Sequence, residues 1–256
     1  MIISESNQFV FVKGRKVAGT SVEVGLTSLC DHRDILTPIT PIDEVVRFQT
    51  TRLMAQNYGA DPEKLEAYAH TIQRIEQGDE ANWSEIRKPR GHYLGHMPLI
   101  DIEDQYGAIP QDWTIIAITR CPYEQALSRI KHMANKEAVR ERSEAAIDVE
   151  SSYFQEAKTN FINKAANKKL RLNIGLYKDS ENNLRPNFYL RYENLNGDYR
   201  RLLEKLGQTN APELPHLKKT NTTKRTAAQD LFERQELDII NACFEEEFQQ
   251  YNYQAI

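Results

Sequence analysis

The stretch Phe9-Val10-Phe11-Val12-Lys13-Gly14-Arg15-Lys16-Val17-Ala18-Gly19-Thr20-Ser21-Val22-Glu23 reads as a buried strand, a tight loop and the start of a helix. A strand–loop–helix of this kind makes an anion site. Backbone N–H groups converge at the helix start, and the helix dipole favours negative charge there. Lys16 adds a mobile cation, and Thr20 and Ser21 add hydroxyl donors. Gly14 and Gly19 stand at the spacing of the nucleotide P-loop, G-x-x-x-x-G-K-[ST], but Thr20 occupies the lysine position of that motif. The lysine lies inside the loop instead, at Lys16. The loop therefore suits a phosphate-like group while departing from the ATPase pattern.

The rest of the chain sets the frame for this loop. Its 256 residues are 40% hydrophobic and 27% charged, which fits a sizeable core in one large α/β domain or two small ones. A net charge of -4 argues against general attraction to nucleic acid or to an anionic membrane, while leaving room for a local basic site. The three cysteines, Cys30, Cys121 and Cys243, are sparse and show neither a disulfide framework nor zinc spacing. Met1–Gln8 lacks a basic n-region and a long apolar core, so no signal peptide is expected, nor does any run reach the length of a membrane span. The expected location is cytoplasmic.

Strands and helices alternate along the chain. After the helix from about Gly19 to Leu29, residues 31–47 are mixed, with Pro38 and Pro41 breaking any long element. Residues 61–77 predict a surface helix, with Asp61 as N-cap, Pro62 at the first position and Leu65, Tyr68, Ala69, Ile72 and Ile75 at helical spacing. Residues 79–91 are polar and irregular, and Gly91–Pro98 reads as extended. Trp113–Thr119 is apolar and β-branched, as a parallel strand buried on both faces would be. It runs into Arg120-Cys121-Pro122 and a helix ending near Ala134. Residues 135–170 read as a helical lid, Phe188–Tyr192 as a strand, and Asp198–Leu206 as a helix stopped by Gly207. A basic loop at 208–225 precedes a long amphipathic helix from about Thr226. The expected fold is α/β, a three-layer sandwich with a mainly parallel central sheet, in which ligands sit beyond the carboxyl ends of the strands.

At such an end stands Arg120, with Ser128 almost two turns into the next helix; together they suit one oxyanion. Lys16-Val17-Ala18-Gly19-Thr20-Ser21 resembles the 5′-phosphosulfate loop of sulfotransferases that use PAPS (3′-phosphoadenosine 5′-phosphosulfate), nearest to the carbohydrate enzymes of the heparan sulfate 2-O type. Arg120 and Ser128 are similar to that family's 3′-phosphate site, with Arg120-Cys121-Pro122 in place of its usual Arg-Asp-Pro. Leu190-Arg191-Tyr192-Glu193-Asn194-Leu195 resembles its Arg-Tyr-Glu-Asp-Leu segment, and His216-Leu217-Lys218-Lys219-Thr220-Asn221 its late cofactor loop. Gly95-His96 matches, in order, the Gly-His that carries the family's base. The matches are spread from about 9 to 250, and the stretches 31–90 and 135–185 carry none.

The resemblance implies a single sulfotransferase domain over 1–256, with 31–90 and 135–185 as acceptor-site or lid insertions, and a P-loop-like phosphosulfate-binding loop. It implies PAPS as co-substrate, no metal, and in-line transfer of a sulfuryl group to a hydroxyl acceptor, a carbohydrate or small molecule. Lys16 and His96 would be catalytic; Arg15, Lys16, Ala18, Gly19, Thr20, Ser21, Arg120, Ser128, Lys218, Lys219 and Thr220 would bind the co-substrate. Histidine suits the base because its ordinary pKa, roughly 6.5, lies near working pH. His92 competes with His96 for that role, whereas His70 and His132 fall in helices. Glu23 reads as a helix-dipole partner, and Glu193 as structural. The charge of -4 points to a small or neutral acceptor. The rival readings are a P-loop kinase or NTPase and a non-catalytic nucleotide-binding protein on the same fold.

Overall fold

β4 (Thr114–Thr119) is buried at every position, so its side chains need a partner on each face. The computed structural model, which describes residues 1–141, 148–208, 213–215 and 227–256, supplies those partners in the first of two compact units. That unit comprises Met1–Ile118 and Gly175–Lys219. Its five-stranded sheet has the order β3-β1-β2-β4-β5, with β1 (Ile2–Ser4), β2 (Phe9–Phe11), β3 (Ile35–Leu36) and β5 (Phe188–Arg191).

Residues alternate across this sheet with the period of two that a pleat imposes. Ile2, Phe9, Phe11, Ile116 and Ile118 point to one face, where they pack with Val22 and Leu26 of α1 (Gly19–Thr27) and Tyr199, Leu202 and Leu203 of α7 (Leu195–Lys205). Ile3, Val10, Val12, Ile115 and Ala117 point to the other, against Leu99 and Ile102 of α4 (Leu99–Tyr106) and against Trp113 and Tyr177. Each large apolar side chain buried in this way contributes about 1.5–3 kcal/mol.

The sheet is mixed, which corrects the expectation of a mainly parallel one. β2 pairs with β4 in parallel, Phe11 opposite Ile116, but β1 pairs antiparallel with both β2 and β3. The cause is the short link Glu5–Gln8, which can only turn the chain back as a hairpin; a parallel return needs a dozen or more residues. The parallel β2–β4 pair still brings two strand ends to one edge, so Lys13 leaves the sheet at a carboxyl end.

Other boundaries shift for local reasons. Pro41 starts α2 (Pro41–Thr51) rather than breaking an element, as proline does at a first helical position. α3 (Pro62–Glu76) has the expected cap, Asp61 Oδ1 accepting from Lys64 N at 3.1 Å. Gly91–Pro98 is a chain of turns, and Pro98 caps α4. α7 starts at Leu195, earlier than expected, and Gly207 closes it with φ 71°.

The second unit comprises Thr119–Ile174 and Thr220–Ile256. α5 runs from Pro122 to Arg140, past Ala134, because Ile130, Ala134 and Ala138 continue one buried stripe. Its core joins Ile130 and Ala134 to Phe154 and Phe161 of α6 (Ser152–Ala166) and to Leu237, Ile240, Phe244 and Phe248. The expected terminal helix is broken into a 3₁₀ turn at Ala228–Leu231, α8 (Arg234–Cys243) and α9 (Glu245–Gln250). α8 begins at a capping box of Glu233 and Glu236, and Phe244, at φ -103°, separates it from α9. Among the described residues, no helix is long and apolar enough to cross a membrane.

Candidate functional site

β2 hands the chain to the loop at Val12, whose N–H donates to Ile116 O at 2.9 Å. Lys13 then turns inward. It is only 7% exposed, and its Nζ donates to Glu23 Oε2 at 2.5 Å. Glu23 lies beyond the first turn of α1 and is fully buried, so the expectation that it merely serves the helix dipole is corrected. Its Oε1 accepts from the Met1 amino group at 2.7 Å and from Thr37 Oγ1 at 3.3 Å, and faces the Arg47 guanidinium at 3.3 Å. Arg47, also fully buried, pairs with Glu44 at 3.0 Å and donates to Thr37 O at 3.1 Å. Desolvation alone would raise the Glu23 carboxyl. Lys13, the Met1 ammonium and Arg47 outweigh it and hold the group well below the ordinary carboxylate range.

Lys13 crosses the helix start, and this explains Gly19. A Cβ there would stand 2.8 Å from Lys13 Cγ and 3.3 Å from Gly14 O. The loop between them is strained: Lys16 and Ala18 both have φ 62°, the left-handed region that costs a non-glycine residue about 1–2 kcal/mol. Val17, between them, is fully buried in the core with Phe11, Val22 and Leu26, and this anchor holds the loop in that shape. Ala18 is the N-cap of α1 and offers no side-chain cap to its first amides. Ser21 N and Val22 N turn back to Ala18 O, at 3.1 and 3.4 Å. Arg15, Lys16, Thr20 and Ser21 are half-buried around this helix start.

The turns at Gly91–Pro98 bring His96 onto the same loop. Its Nδ1 lies 2.9 Å from the Lys13 carbonyl oxygen. A carbonyl only accepts, so Nδ1 carries the proton in this contact and Nε2 of the neutral ring keeps its lone pair. Desolvation, then the charges of Lys13, the Met1 ammonium and Arg15, push the imidazole down to about 4 despite the carbonyl contact. By surface area the residue is nonetheless exposed, so the shift comes from the buried ring edge facing Lys13 and not from enclosure of the whole side chain. His92 is placed differently. Its ring covers Gly59, where an added Cβ would come 2.2 Å from Cδ2, so His92 packs on a turn of φ 77°. His70 is exposed on α3.

Arg120 and Ser128 belong to the second unit. The Arg120 side chain is 12% exposed and meets Glu124 at 3.3 Å, one turn along. Pro122 opens α5 with Cys121 as N-cap, and Ser128 is half-buried further along that helix. Lys218, Lys219 and Thr220 lie outside the described residues.

Lys13, Thr37, Glu44 and Arg47 carry no role that their sequence context announces. The available signal was Lys13 itself, a charge directly after four apolar residues at a strand end. Comparison with family models, with curated proteins and with solved structures returned no match.

Proposed function

We propose that this chain transfers a sulfuryl group from PAPS to a hydroxyl acceptor. The observation that carries the reading is the contact of His96 Nδ1 with Lys13 O at 2.9 Å. It puts a neutral imidazole, its Nε2 able to accept a proton, on the same short loop that suits an oxyanion. In this reading the loop is a phosphosulfate site within a three-layer α/β fold, and the location is cytoplasmic.

Each residue then has a task. The first amides of α1, with Thr20 and Ser21, receive the anionic 5′ end. Lys16 offsets charge that develops on the departing phosphate oxygen. His96 Nε2 takes the acceptor's hydroxyl proton as the new S–O bond forms and the old one breaks. Lys13 stays committed to Glu23 and acts as a structural cation, so the charge that acts on the departing phosphate is assigned to Lys16. The 3′-phosphate falls to Arg120 and Ser128 by the family resemblance, and Lys218, Lys219 and Thr220 would join by the same argument.

Calorimetry with PAP (the desulfated product), with AMP and with ATP plus Mg²⁺ tests the reading. PAP should bind best, and Arg120→Ala should cost about 1.5–3 kcal/mol of PAP affinity while leaving AMP almost unaffected. Equal affinity for PAP and AMP would refute the assignment. Preference for ATP with Mg²⁺ would favour the NTPase reading instead.

A further inference from the structure

The first unit has a groove of about 770 Å³ between α3 and the irregular segment 79–90. One face of α3 lines it. Lys64, Ala67, Tyr68, Thr71 and Ile75 recur at the three- and four-residue spacing that stacks side chains along a helix. Tyr68 and Ile75, with Ile86 from the facing segment, supply an apolar floor. From Lys64 to Ile75 the helix rises by about 17 Å, at about 1.5 Å per residue. About five residues of extended chain cover that length.

The facing wall offers backbone groups. Among residues 80–90 only Glu85 N finds a backbone acceptor, Asn82 O at 3.0 Å; the other N–H groups there meet no acceptor among the described residues. An extended chain laid alongside can pair with such groups. The charges are sorted as well. Arg74 pairs with Asp79 at 2.5 Å, Lys88 Nζ donates to Pro38 O at 3.3 Å, and the Arg87 guanidinium donates to Ser84 O. Lys64 and Arg90 are exposed, and their side chains have no ion-pair or hydrogen-bond partner among the described residues. Glu80 and Glu85 are the remaining acids of the lining, so its summed charge is positive although the chain carries -4. Those two acids also oppose a densely charged polyanion, whereas a peptide can space its carboxylates to avoid them.

We infer that this groove docks an extended acidic segment of a partner protein. Its carboxylates meet Lys64 and Arg90, one aliphatic side chain lies on Tyr68, Ile75 and Ile86, and its backbone pairs with residues 80–90. Docking here is independent of sulfuryl transfer, none of whose steps uses this groove.

The test is calorimetry at low ionic strength on the full chain with capped pentapeptides. Glu-Glu-Leu-Glu-Glu should bind about tenfold tighter than Gln-Gln-Leu-Gln-Gln, as charge-assisted contacts provide, and tighter than Glu-Glu-Ser-Glu-Glu, which lacks the apolar anchor. A backbone N-methylated version of the first peptide should bind about tenfold more weakly, because its amide donors are gone. The Lys64→Ser, Arg90→Ser double variant, altered only at exposed positions, should reduce the acid preference to less than about threefold. Equal binding of the acidic and amide peptides, no binding of either, unchanged binding of the N-methylated peptide, or an acid preference that survives in the double variant overturns the inference. So does a sulfated disaccharide of matched charge that binds as tightly and displaces the peptide, since the site then reads charge alone.

Discussion

Glu23→Gln isolates what the buried charge cluster contributes. The carboxylate meets Lys13 at 2.5 Å, the Met1 amino group at 2.7 Å and Arg47 at 3.3 Å, all in the interior. Burial pushes the Met1 amine down to about 5, so at neutral pH it acts mainly as a hydrogen-bonding partner. At an effective dielectric of about 20, the Lys13 and Arg47 pairs each attract by roughly 5–7 kcal/mol before desolvation is subtracted. Removing one partner of a buried pair costs about 3–5 kcal/mol, because the remaining charge is left uncompensated. Gln keeps an acceptor for Met1 and Thr37, and Arg47 keeps Glu44, so about 3 kcal/mol is expected. With a urea slope of about 1–3 kcal/mol per molar, the midpoint should fall by roughly 1–3 M at unchanged slope. Hydrogen exchange of the β2 and β4 amides would confirm that the loss falls on the first unit. Adding Lys13→Met should recover part of it, since the stranded cation is then gone.

The pH dependence follows from the same group. The folded carboxyl titrates below its unfolded value of 4.5, so its stabilisation is complete above about that pH and is lost as pH falls through the folded value. Glu23→Gln should therefore flatten the acid end of the stability curve. A loss under about 1 kcal/mol, with the acid dependence intact, would refute the claim that Glu23 holds the cluster together.

Gly19→Ala should destabilise by about 1–3 kcal/mol through overpacking, because the new methyl meets Lys13 at 2.8 Å while Glu23 pins that side chain; a stabilised variant would show that Lys13 can move aside. The His96 ring, followed by NMR, should titrate near 4 in the free protein and higher with PAP bound, since added negative charge favours the imidazolium. A free-protein midpoint at or above 6.5, the ordinary value, would contradict the desolvated placement. His96→Ala should lower turnover by roughly 10²–10⁴ with PAP affinity nearly unchanged, whereas a mild loss would move the base elsewhere.

Local pattern made much of the frame legible. Asp61-Pro62 and the apolar spacing that follows define α3, since a cap and a helical stripe involve only neighbours in sequence. The β-branched run ending at Thr119 identifies β4, and Val12 to Ser21 reads as a strand, loop and helix start. The sheet's mixed sense was less accessible, because β1 and β3 are only three and two residues long and carry too little period to declare themselves. The limit of α5 was missed because alanines can extend a buried stripe without looking apolar enough to signal it.

The site depended most on distant pairing. Glu23 and Arg47 look like ordinary helix-surface charges until α1 and α2 turn them into one interior. His96 and His92, four residues apart, are nearly equivalent as sequence. Only the tertiary turns place one on the Lys13 carbonyl, across 83 residues, and the other over Gly59. Sequence specifies the chemistry a side chain can perform and the local shape of its segment. Which partner desolvates it, fixes its tautomer or neutralises its charge is decided by packing between segments, because those forces act over a few ångströms of space whatever the separation along the chain.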